Sequence, residues 1–122
     1  MKHVRLFLIL EALGFALAAL VHAGVLVDGY QHREATIAES VISAALAIGL
    51  AASLAAPGWA RGIALGVQAF ALIGTGVGLF TIAIGIGPQS AFDLVLHAGF
   101  VALLVAGLIS VAREPRQLNA RA

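Results

Sequence analysis

Apolar residues fall in four long runs, roughly Leu6 to Val27, Ala35 to Ala56, Gly62 to Ile86 and Ala91 to Ala112. Each run is near the roughly 20 residues that a helix needs to cross the hydrocarbon of a bilayer. Helix is the only secondary structure that fits them, because an open sheet in lipid leaves its edge groups without partners. The runs are separated by strong turn signals: Asp28-Gly29, Pro57-Gly58 and Gly85-Ile86-Gly87-Pro88. Short connections make consecutive helices antiparallel neighbours. The pattern therefore predicts an all-α, integral membrane four-helix bundle of up-down-up-down topology, a single transmembrane domain over residues 1–122.

Composition supports this and narrows the functions. The chain is 61% hydrophobic and 11% charged, with a mean hydropathy of +1.05. A soluble domain is closer to half apolar and about a quarter charged. A net charge of +1 supplies no basic face to displace counterions, which argues against nucleic acid as a partner. The absence of cysteine excludes disulfides, thiolate metal sites and thiol nucleophiles. Lys2 and Arg5 precede an apolar run that ends Val21-His22-Ala23, loosely like a signal-cleavage site; at about 20 residues it is long for a signal core, and it is read as a retained first span.

Basic residues set the expected orientation. Lys2, Arg5, Arg61, Arg113, Arg116 and Arg121 fall on one side of the membrane and Arg33 on the other, so the positive-inside rule predicts N-in and C-in, in a bacterial inner (plasma) membrane. Trp59 suits the inner interface and Tyr30 the outer one. The third run carries Gly62-x-x-x-Gly66 and Gly74-x-x-x-Gly78, a spacing that lets helix backbones approach closely in lipid. Those glycines serve either packing within the bundle or contact with a second copy or a larger membrane complex.

Ionisable residues inside apolar runs are the candidate chemistry, because each is costly in hydrocarbon unless paired, hydrated or bound. His22, Glu39 and His97 come from three different runs, and the topology brings them to the non-cytoplasmic half. Asp93 and His97, four residues apart, share a helix face. Ser90-x-x-Asp93 is also a capping-box pattern, which gives Asp93 a local role at the start of the fourth helix. Glu34 suits the helix dipole of a first turn, His32 reads as a solvated loop residue, and Glu39 has the option of pairing outward with Arg33.

Three chemistries fit this set. His22, Glu39 and His97, with Asp93 completing or orienting the shell, form a nitrogen and oxygen donor set for a divalent transition metal. His22 and His97 could instead ligate a haem b, with Arg33 meeting a propionate. The third option is a proton relay to the outer water. No hydrolase or transferase constellation and no phosphate loop is present, so no enzyme activity is assigned.

An inner-half question is separate. Glu11 lies eleven residues before His22, so Glu11, Phe15, Ala18 and His22 form one stripe expected to face the interior; Gln68 lies at a depth that lets it hydrogen-bond Glu11. Four spans and the segment Leu10-Glu11-Ala12-Leu13-Gly14 resemble the small multidrug resistance exporters. That resemblance implies proton coupling through Glu11, although the aromatic residues that cage a cation in that family are largely missing and the outer histidines have no counterpart there. The segment from His22 through Gly29-Tyr30-Gln31-His32-Arg33-Glu34 to Glu39, with Gly85-Ile86-Gly87-Pro88, Asp93 and His97, also resembles small bacterial four-span membrane proteins, a resemblance that implies no activity.

The expectation is thus a membrane protein holding a metal ion or haem between helices one, two and four. The alternatives are an accessory subunit docked through the Gly-rich third helix and a proton-coupled exporter built on Glu11.

Overall fold

The computed structural model describes residues 1–115; Arg116 and Arg121, used for orientation, lie outside them. The described residues form four long helices and no strand: α1 (Lys2–His22), α2 (Arg33–Ala55), α3 (Ala60–Ala83) and α4 (Ala91–Arg113), with a single 3₁₀ turn, Pro57–Trp59, leading into α3. All four are long and apolar enough to cross a membrane.

The helix ends follow local chemistry. α1 stops at His22 rather than continuing to Val27. Gly24 takes a positive φ of 74°, its N–H returns to Val21 O, and the Val25 N–H returns to Leu20 O. This is the Schellman closure, in which glycine supplies the left-handed residue that other side chains resist. α3 ends the same way at Gly85, with bonds to Ile82 O and Thr81 O, so it closes at Ala83 instead of Ile86. α2 ends just before Pro57, which restricts the preceding residue to extended backbone. His32 caps α2 by accepting the Ala35 N–H, a role the sequence reading as a solvated residue did not include.

Side-chain contacts fix the arrangement. Ser43 of α2 donates to the Ala12 carbonyl of α1 (2.8 Å). Gly49 and Gly74 lie against Val67 and Ile42, so α2 and α3 run antiparallel. Gly78 meets His97, while Gly107 meets Gln68, which reverses α4 against α3. Phe15 of α1 stacks on Phe100 of α4 with ring centroids 4.1 Å apart, closing the ring of helices. The core runs through Val4, Leu8, Phe15, Leu46, Ala71 and Leu104.

The surface is inverted relative to a soluble protein. Leu13, Leu17, Ile48, Ile73 and Val95 are exposed, whereas Glu11, His22, Glu39, Gln68, Asp93 and His97 are buried. Burial of the ionisable groups beneath an apolar exterior is the distribution of a membrane protein, whose outer face meets hydrocarbon.

Candidate functional site

The outer polar cluster begins with the Schellman closure of α1. Because the helix stops there, His22 is its last residue, not one buried a turn and a half further in. The His22 carbonyl accepts the His32 N–H (2.9 Å), which fixes the start of α2 beside the end of α1. Glu39, two turns further along α2, reaches His22 directly: its Oε2 lies 2.7 Å from His22 Nδ1.

The other His22 nitrogen is held by α4. Nε2 lies 2.8 Å from Asp93 Oδ1. Asp93 closes the expected capping box at the same time: Ser90 Oγ accepts the Asp93 N–H (3.1 Å), and Asp93 Oδ2 accepts from the backbone N–H and hydroxyl of Ser90. The two roles coexist because the two carboxylate oxygens face different partners. His22, Glu39 and Asp93 thus converge, with His22 1% and Glu39 4% exposed.

His97 converges on the same region without bonding to the side chains of that trio. Its Nδ1 lies 2.7 Å from the Asp93 carbonyl, one turn back along its own helix. The Nε2 edge borders Gly78, where a Cβ would come within 2.9 Å of it. Glycine at 78 is what allows the imidazole to lie against α3.

Beside the cluster is a cavity of about 340 Å³ bounded by α2, α3, α4, the α3–α4 connection and Phe15 of α1. Glu39 and His97 line it, together with apolar groups such as Phe15, Ile42, Val77 and Ile86. Glu39 Oε1 is buried and has no hydrogen-bond partner among the described residues. Sequence reasoning missed this cavity: glycines at 74, 78 and 87 leave the room, but nothing in a linear sequence says which side of a helix faces a void.

The metal and haem expectations meet a geometric obstacle. Both require a lone pair from His22, yet each of its ring nitrogens is turned to a carboxylate. Among the described residues no group of three or more His, Asp or Glu side chains is disposed to hold a metal ion. Of the side chains that line the cavity, His97 and Glu39 each keep one atom without a side-chain partner and Glu34 is exposed at the rim, and no three of these groups come together as the three or four protein donors usual for zinc. As arranged, His22, Glu39, His97 and Asp93 do not fit either group. Arg33, suggested for a propionate or for Glu39, is exposed and forms no ion pair with Glu39.

At the inner half, the stripe of Glu11, Phe15, Ala18 and His22 is buried as expected. Gln68 Nε2 donates to both oxygens of Glu11 (2.9 and 3.0 Å). Gly107 of α4 lies flush against the pair, and a Cβ there would overlap both side chains. The two Gly-x-x-x-Gly pairs of α3 divide: Gly74 and Gly78 pack inside the bundle, while Gly62 and Gly66 are exposed with open space above them.

Compared with known proteins, the chain matches no family model, no curated protein and no solved structure.

Proposed function

We propose that this chain is an integral membrane protein that holds a small organic ligand in the cavity beside Glu39 and His97. The observation that carries the reading is Glu39 Oε1, buried without a partner among the described residues, in a residue that lines a largely apolar cavity. An unsatisfied buried acceptor costs about 1–3 kcal/mol, a cost that a bound donor removes. Ligand sites are typically apolar cavities with a few convergent polar groups. His22 and Asp93 serve as the support that fixes Glu39 in place.

Both termini are taken as cytoplasmic. Lys2, Arg5, Arg61 and Arg113 belong to the end of the bundle where Met1 and Arg61 contact Glu114, and Arg33 to the opposite end beside His22. Positive-inside bias then puts the cavity in the outer half of the membrane. The bacterial plasma membrane is the proposed location, on the resemblance to small bacterial four-span proteins.

Glu11 is assigned to packing rather than export, since Gln68 satisfies both of its oxygens and Gly107 covers the pair. A second, compatible reading is a partner or homo-oligomer interface at Gly62 and Gly66, favoured by their exposure and open surroundings.

Native mass spectrometry of gently extracted protein, with metal analysis and an absorption spectrum, tests the ligand reading. The expected result is a bound organic mass that is lost when Ala38→Phe fills the cavity wall. Stoichiometric metal, or a Soret band, that disappears in His22→Ala would replace the organic ligand with the metal or haem.

A further inference from the structure

The hydrogen bonds of the outer cluster count its protons. His22 Nδ1 and Nε2 each face a carboxylate oxygen, at 2.7 and 2.8 Å, and each contact needs one proton between nitrogen and oxygen. With these two protons and none on the unpartnered Glu39 Oε1, one imidazole and two carboxyl groups carry a charge of −1. The total is the same for an imidazolium between two carboxylates and for a neutral imidazole between a carboxylate and a carboxylic acid. An unbalanced charge in a low-dielectric interior is unfavourable unless a counter-charge binds.

The cavity also has a one-sided hydrogen-bond character. The Asp93 carbonyl can only accept, so His97 Nδ1 carries a proton, and with no second proton on the ring Nε2 keeps a lone pair. The hydroxyls of Thr75 and Thr81 donate to the carbonyls of Ala71 (2.8 Å) and Gly78 (2.7 Å), leaving lone pairs toward their surroundings. Glu39 Oε1 is an acceptor with no donor. All four residues line the one cavity. His32 at its rim turns Nδ1 to the Ala35 N–H, and the Glu34 carboxylate is exposed beside it. Among the described residues no Lys or Arg lines the cavity.

We propose that the ligand is a monovalent organic ammonium ion: a protonated amine on a compact apolar body. Its N–H groups donate to Glu39 Oε1 and His97 Nε2, and its positive charge balances the single negative charge of the cluster. The apolar body lies against Ile42, Val77 and Ile86. A metal dication would overshoot the charge and meet too few donors. An anion would meet the lone pairs of Glu39, His97 and the two threonines, with His32 Nε2–H at the rim as the donor nearest to hand. This inference rests on the ligand-holding reading and adds the charge and hydrogen-bond sense of the ligand.

Isothermal titration of the protein in zwitterionic nanodiscs, corrected with empty discs, separates the cases. The probes are 1-adamantylammonium, the neutral 1-adamantanol and 1-adamantanecarboxylate, three ligands of one shape and different charge. The expected result is one ammonium bound per chain, with the alcohol at least tenfold weaker and the carboxylate weaker still. Glu39→Gln is expected to reduce ammonium affinity at least tenfold, and Ala38→Phe, which leaves the cluster untouched, to abolish binding. Circular dichroism checks that each variant is folded; if Glu39→Gln is not, the ratio of ammonium to alcohol and the Ala38→Phe result decide. Equal or tighter binding of the alcohol or carboxylate, sensitive to Ala38→Phe, overturns the cation while leaving the cavity as a ligand site. If none of the three binds the folded wild type, the ligand reading falls as well.

Discussion

His22 joins three helices with one side chain: it ends α1, meets Glu39 of α2 and meets Asp93 of α4. Its oddity was visible in the sequence, since a histidine near the end of a long apolar run has to find partners. Half of the answer was visible too, because a Ser-x-x-Asp cap is a local pattern and local patterns survive folding. The Asp93–His22 contact was not, because it joins residues 71 apart in the chain. His97 shows the reverse error. Expected to join the other two as a ligand, it instead bonds to the Asp93 carbonyl one turn back along its own helix. The cluster predicts a large stability effect: His22→Leu leaves Glu39 and Asp93 buried without the cation or donor between them. Removing one member of a buried charged network typically costs 3–5 kcal/mol, so equilibrium unfolding in mixed micelles should show a loss of about 3 kcal/mol. A loss below about 0.5 kcal/mol, the range of ordinary surface changes, would mean that the cluster does not hold the helices together.

Among the helices, what the apolar pattern could read was existence and number; what it misjudged was where α1 and α3 stop. Hydropathy continues through Val25, Leu26 and Val27, but the backbone has already turned at Gly24, where positive φ is inexpensive only for glycine. The glycines of α3 make a related point about rotation. Their four-residue spacing is equally consistent with packing inside or outside a bundle, and the structure divides them between both. Gly107, which the spacing did not single out, proves the most constrained, because it lies on the Glu11–Gln68 pair. Gly107→Ala should therefore destabilise the protein by about 1–3 kcal/mol through overpacking. Gly66→Ala should leave the isolated protein within about 0.5 kcal/mol of wild type. The same unfolding assay compares them. Size-exclusion chromatography with light scattering adds the partner question: a Gly66→Leu variant that lowers an oligomer to monomer supports an interface there, and an unchanged mass removes it.

The whole molecule is an apolar exterior around two buried polar layers, Glu11–Gln68 and His22–Glu39–Asp93, separated by the stacked Phe15 and Phe100. Eleven residues of helix set the two layers roughly 16 Å apart along α1. If the basic end faces the cytoplasm, a thiol at Gln31→Cys is labelled by a membrane-impermeant maleimide added to intact cells. A thiol at Gly58→Cys is then labelled only after the membrane is opened. The opposite pattern would invert the bundle and move the cavity to the inner half.

By itself, the sequence determined the membrane class, the four helices, the connections and the capping at Ser90, because these follow from composition and from residues within a few positions of one another. It also singled out the buried ionisable residues, since their cost in hydrocarbon does not depend on the details of packing. Only the tertiary structure decided which of them meet. Each helix is free to rotate about its own axis until side-chain packing fixes it, and that rotation turned both nitrogens of His22 to carboxylates. It left Glu39 and His97 lining a cavity, the observation on which the proposed ligand site rests, and it left the metal or haem expectation without a converging set of free donors among the described residues.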